Sequence, residues 1–207
     1  MYDFESTLHL ESERLCLDFA NTVNWHASEH PVEELPTYAD LTAWAQKVGL
    51  VNEAEAQRLK RQAGRRPSEA DSVLGRAHRL REAIYRLLAA LAGGETGNLA
   101  DLALINAELP PALARLQLAP TTDGYALRWP TEADALDRML WPVAYSTVDL
   151  LTQPELLARV GQCADDRGCG YLFLDLTKNH SRRWCDMRDC GNRAKARRHY
   201  ERQRAQE

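Results

Sequence analysis

The sequence lacks any apolar run of the roughly 18–20 residues needed to cross a bilayer; its longest candidate, residues 87–92, falls far short. The first fifteen residues are acidic and have no apolar core of the kind a secretory leader requires. A cytoplasmic protein is therefore expected. Internal repeats and low-complexity tracts are also missing, so a repeat array is not expected. There is no Ser/His/Asp set, phosphate loop or zinc-protease motif. An enzymatic reading thus has no residues to name, and the expectation is a protein that is not an enzyme. Neither close cysteine pair has the C-x-x-C spacing of a redox dithiol.

What the chain does have is concentrated near residue 207. Four of its five cysteines, Cys163, Cys169, Cys185 and Cys190, fall within 28 consecutive residues. Two pairs flanking a short hydrophobic stretch (Tyr171 to Leu174) match the layout of a four-thiolate zinc site. In a reducing compartment such a cluster is better explained by metal than by disulfides. With all four positions filled by thiolate, the zinc would be structural, and its binding would contribute to folding. The plain alternative is four thiols without metal, and His180 or His199 could stand in for one cysteine. Gly168, Gly170 and Gly191 flank the cysteines and would let the backbone wrap tightly, while Asn192 is placed to cap a following helix. Cys16, in an apolar alternation, reads as a core thiol.

Charge is unevenly distributed. The net charge is −4, yet residues 177–207 hold 10 Lys and Arg against 4 Asp and Glu, a surplus of +6, leaving −10 for residues 1–176. A basic tail on an acidic body suggests nucleic acid as a partner. Arg193, Lys195, Arg197, Arg198, Arg202 and Arg204 follow the last cysteine, and Arg182 and Arg183 precede Cys185. At 100° per residue Arg193, Arg197 and Arg204 share one helix face, and Lys195, Arg198 and Arg202 another, as a helix between two phosphate backbones would need. DNA is the expected ligand and RNA the alternative. A solvated helix that balances the acidic body is the plainer reading. Trp184 and Tyr171 are expected to pack the zinc core rather than stack on bases.

The body reads as mainly helical. Arg14 to Val23 alternates Leu15, Leu17 and Phe19 with Cys16 and Asp18, which predicts a strand. Helices are predicted from Thr37 to about Val48, from Asn52 through Ala63, from a Ser68 cap through Leu91, from Asn98 to Glu108 and from Thr131 to Leu151, with Gly64–Pro67 a loop and Pro110-Pro111 a stop. A hairpin is expected around Pro120 to Gly124. Asp18, Asn21 and Trp25, with Asn24 and His26, could line a small-molecule pocket; the favoured alternative has Asp18 and Asn21 bonding neighbouring backbone in a turn. The fold class is thus α+β: a mostly helical N-terminal domain with a few short strands (1–155), plus a small treble-clef-like or knuckle zinc finger ending in a basic helix (156–207). A segment as small as the latter usually needs a metal or disulfides to fold.

Residues 182–198 resemble the signature of the CGNR zinc finger, named for the tetrapeptide found here at Cys190–Arg193, and residues 173–179 fit the same family. Residues 14–23 are similar to the opening motif of the ABATE domain that usually precedes this finger. The first cysteine pair is separated by five residues where family members commonly have four, an insertion that leaves the ligands usable. The resemblance implies a bacterial, stress-associated transcription regulator that binds DNA through the finger; such a regulator needs an input, and the body is the natural place for a small effector. Rival readings are a module that grips an acidic protein, or an enzyme with an unidentified site in the body. Readers of paired half-sites are dimers, so a homodimer remains an option, although no heptads declare one.

Overall fold

A computed structural model of the chain describes residues 4–122, 124–130 and 134–204. It is 55% helical with short antiparallel strand pairs, which bears out the α+β reading. The centre of the molecule is α1 (Leu15–Ala20), all six residues of which are buried. The sequence predicted a strand here. The period-2 pattern misled because it distinguishes folds only where one face meets water; a short helix buried on all sides can carry any apolar order. Polar groups make this burial tolerable. The Glu5 carboxylate accepts the Leu15 amide at 2.8 Å, and Asp18 accepts the amides of Glu11 and Ser12, each at 2.7 Å. The first helical amide is thereby satisfied, and Asp18 ties down the bend that leads into the helix.

Around α1 pack α4 (Pro67–Ala92) and α6 (Leu140–Leu151). Ala77, Leu80, Ile84, Leu87 and Leu88, at helical spacing along α4, face this core. Preceding α4 are α2 (Tyr38–Lys47) and α3 (Glu53–Arg65), each opened by a reciprocal capping box, Thr37 with Asp40 and Asn52 with Glu55. α3 runs through Gly64, so the expected loop shrinks to Arg66. Ser68 makes no cap either: Pro67 is the first residue of α4, where its missing N–H costs nothing. α5 (Leu99–Ala114) continues past Pro110-Pro111 rather than stopping. The two carbonyls left without amide partners belong to Asn106 and Ala107, both exposed, so water can serve them. Ala112 beyond the prolines is anchored against Trp141 and Ala144. α6 starts at Leu140; its expected start, Thr131, lies outside the described residues.

Three two-stranded pairs complete the fold. β1 (Val23–Asn24) pairs with β2 (Val32–Glu33), and β3 (Gln117–Thr121) with β4 (Gly124–Arg128), the expected hairpin. After the single turn of α7 (Pro154–Leu157), β5 (Val160–Gln162) pairs with β6 (Leu172–Leu174). Val160, Leu172 and Leu174 join the same hydrophobic core as α1 and α4. The hairpin that carries the first cysteines is therefore built onto the body. A five-residue turn, Met187–Gly191, leads into α8 (Asn192–Arg204). Asn192 does not cap it. Asp186 accepts the Arg188 amide at 2.6 Å, and the Asn192 side-chain amide donates back to the Arg188 carbonyl.

Candidate metal centre and basic helix

Cys163 follows β5, with its amide bonded to the Tyr171 carbonyl at 2.9 Å. Cys169 closes the loop between β5 and β6. Cys185 precedes the turn into α8 and Cys190 lies within it. The four Sγ atoms lie within 4.8 Å of one another, with Cys169 to Cys185 at 3.7 Å and Cys185 to Cys190 at 3.6 Å. Zn–S bonds of about 2.3 Å in a tetrahedron would place sulfurs ~3.8 Å apart, so the donor set fits zinc. It is the one group of three or more metal-ligating side chains gathered together among the described residues; His180 is exposed and outside it.

Thiols this close compete for charge. Hydrogen bonds from Cys169 and then Cys185 push the Cys163 thiol far down, whereas the bond to Cys163 pushes Cys185 up and burial pushes Cys190 up. A divalent cation works the other way, favouring thiolate at every position. Gly168 and Gly170 have φ of 85° and 68°. A Cβ at Gly168 would come within 2.5 Å of the Ser28 Cα, and one at Gly170 within 2.5 Å of the Tyr85 hydroxyl. These glycines let the zinc loop lie flat on the body. Gly191 has no positive φ.

Arg193, last residue of the Cys-Gly-Asn-Arg run, ties the centre together. Its guanidinium donates to Asp165 at 3.0 and 2.9 Å, to Cys190 Sγ at 2.8 Å, and to Asp189. Burial favours the neutral form of Asp165, yet bonds from the Arg167 amide and Arg193 hold its carboxyl below the usual range. Arg197, one turn on, pairs with Asp166 and with Glu201 at 3.4 Å. Arg182 turns inward: it donates to the carbonyls of Trp184 and Cys185 and lies 4.4 Å over the Phe173 ring. Arg183, Lys195, Arg198, Arg202 and Arg204 are exposed, and among the described residues none has a carboxylate within ion-pair distance. Arg183 and Arg198 lie 5.5 and 5.7 Å from the Trp184 ring centre on the outer surface.

Of the three body residues singled out from the sequence, Asp18 and Asn21 line one small cavity and Trp25 lies apart from them. Asn21 bonds Leu172 of β6 in both directions, each at 2.8 Å, and also donates to the Ser12 hydroxyl, which donates to Tyr171. Asp18 is engaged by backbone amides as described above. Trp25, with φ of 56°, is flanked by Arg167 and Arg193 at 5.0 and 5.3 Å. Nearby, His26 stacks on Tyr85 at 3.5 Å, and Tyr85 accepts from Gln162 of β5. The end of the opening motif is thus the surface on which the finger rests. Sequence reasoning missed Asp165 and Asp166 as partners of the arginines; their signal was an acidic pair inside the first cysteine gap.

Residues 13–154 match the family model of ABATE, described as a putative stress-induced transcription regulator, and residues 159–203 match the CGNR zinc finger. The chain belongs to the ABATE family. In this ABATE protein the second match covers all four cysteines and nearly all of α8, so its zinc finger is the CGNR type and its four clustered cysteines can hold zinc. A comparison with curated proteins finds no match. No helix among the described residues is long and apolar enough to cross a membrane.

Proposed function

We propose that this chain is a zinc-dependent, DNA-binding transcription regulator of the cytoplasm. In this reading residues 1–155 form an input body and residues 156–207 the finger. Cys163, Cys169, Cys185 and Cys190 hold a structural zinc, and the zinc with Arg193 fixes the start of α8. The observation that carries the reading is the sorting of cations on α8. Arg193 and Arg197 turn toward Asp165 and Asp166, while Lys195, Arg198 and Arg202 on the opposite face, with Arg183 and the helix-end Arg204, are exposed without acidic partners among the described residues. Acids on the inward face and free cations on the outward face are what a phosphate-gripping helix on an acidic body requires.

Five such cations engaging five phosphates give a salt slope of about −4.5 in log K against log salt, at about −0.9 per contact. The test is fluorescence anisotropy of a labelled random duplex across a salt series with zinc-loaded protein. The triple variant K195A/R198A/R202A is expected to flatten the slope by about 2.7. Absence of binding at low salt, or a slope indifferent to the triple variant, would sink the reading. A single-stranded RNA of equal length, run alongside, separates DNA from RNA as the polyanion. A concentration series on duplexes with paired sites reads out dimerisation.

A further inference from the structure

We propose that the ABATE body binds a small amphipathic carboxylate in a cavity remote from the finger. The cavity, of about 400 Å³, lies between the N-terminal segment, the α2–α3 connection, the end of β4 and the start of α6. That size falls within the range of small-molecule sites, roughly 300–1,000 Å³. Most of its lining side chains are apolar: Phe4, Leu8, Val51 and Met139 contribute, and Trp129 forms one wall. The Trp129 ring is fixed by its indole N–H donating to the Ala112 carbonyl at 2.9 Å, and by edge-on contacts with Phe4 and Tyr145 at 5.6 and 5.7 Å. A rigid aromatic wall favours an aliphatic or aromatic guest body.

Charge chooses the head group. The charged residues lining the cavity are both arginines, Arg128 and Arg138. Arg138 is buried and bonded to Glu55 at 3.2 Å, and Glu55 is at the same time engaged in the capping box of α3. Arg128 is exposed, and among the described residues no carboxylate lies within ion-pair distance of it. An anionic head at the rim would meet Arg128 directly, whereas a cationic one would face two like charges. A smaller cavity, near Asp18 and Asn21, is about 120 Å³, and those two side chains are already hydrogen-bonded. Occupancy has a physical route onward: Glu5, next to Phe4, accepts from the Leu15 amide at the head of α1 and from Ser146 of α6, and α1 leads to Asn21.

The inference builds on the input-body reading, but binding is measurable without nucleic acid. Calorimetric titration of the full zinc-loaded chain would use straight-chain carboxylates from hexanoate to dodecanoate, below their micellar concentrations. Matched primary alcohols and alkylammonium salts serve as neutral and cationic arms. Affinity for the carboxylates should rise about fourfold per added methylene until the cavity is full, at roughly 0.8 kcal/mol per buried CH2, with the alcohols at least tenfold weaker. Leu8→Trp, which fills the cavity, should abolish binding. Should that variant unfold, the exposed Arg128→Gln keeps the test: it should weaken carboxylates about tenfold and leave alcohols unchanged. Equal binding of all three head groups, indifference of the carboxylates to Arg128→Gln, or no saturable binding would overturn the proposal. Duplex affinity with and without decanoate is a separate readout; carboxylate binding with unchanged duplex affinity sustains the cavity and overturns only its link to the finger.

Discussion

Replacing Asn21 by alanine removes the two hydrogen bonds that hold β6 to the end of α1. Leu172 is fully buried, and its amide and its carbonyl are both bonded to the Asn21 side chain at 2.8 Å. Alanine leaves both without that partner. At about 1–3 kcal/mol for each unsatisfied buried group, the cost is about 2–6 kcal/mol. Water admitted to the vacated space would bring it toward the lower end. Against a total stability of about 5–15 kcal/mol for a domain, that loss is large enough to read by urea unfolding followed by far-UV circular dichroism on zinc-loaded protein. Hydrogen exchange supplies a local readout, since the Leu172 amide should lose protection by more than the global stability change alone explains. Asn21→Asp keeps the acceptor for the Leu172 amide but faces the Leu172 carbonyl with a charged oxygen, so it should not rescue. A cost under about 0.5 kcal/mol, the level of an ordinary surface substitution, with unchanged Leu172 protection, would refute the claim that this side chain joins finger to body.

Other outcomes follow from the same geometry. Chelation of the metal, or Cys190→Ser, should release α8 and the loop between β5 and β6 while α4, α6 and β6 stay folded, seen as loss of exchange protection confined to residues 163–170 and 185–204; uniform loss along the chain would contradict this. Gly170→Ala should destabilise by more than 1 kcal/mol, because a Cβ there would lie 2.5 Å from the Tyr85 hydroxyl at a φ of 68°, and a neutral result in urea unfolding would count against the close seating of the zinc loop. The Glu82 carboxyl is held below its ordinary range first by the hydrogen bond from His26, with Arg81 adding to it against burial. A depressed carboxyl pKa contributes stability that is present above the unfolded value, near 4.3, and lost as pH falls through the folded value. Glu82→Gln should therefore flatten the decline of unfolding free energy below about pH 4.3, and an unchanged pH slope would count against that contribution.

The metal centre was legible in the sequence because its chemistry is written in residue type and short spacing; thiolates six and five positions apart need no tertiary knowledge to be paired. α4 was legible for a similar reason, since one face of a long helix meets solvent and the other the core. α1 was not, because a helix buried all round leaves no contrast to read. The extension of α5 past two prolines depended on the exposure of Asn106 and Ala107, which is a tertiary fact. Within the basic run, sequence could count the arginines but not sort them. Arg182, Arg193 and Arg197 differ from Arg198 and Arg202 only in what lies opposite. For Arg193 and Arg197 that is Asp165 and Asp166, nearly thirty residues earlier; for Arg182 it is backbone carbonyls of the turn it sits on.

The seating of β5 and β6 bears on how such a finger can be inherited. A stretch beginning at residue 159 retains every zinc ligand, yet Leu172 and Leu174 would leave a shared core, Leu172 would lose its Asn21 partner, and Trp25 would no longer lie between Arg167 and Arg193. The finger is therefore a poor unit for transplantation. A host that acquired it alone would need to supply an equivalent of residues 21–28 and of Tyr85, so the two parts of this chain are expected to travel together.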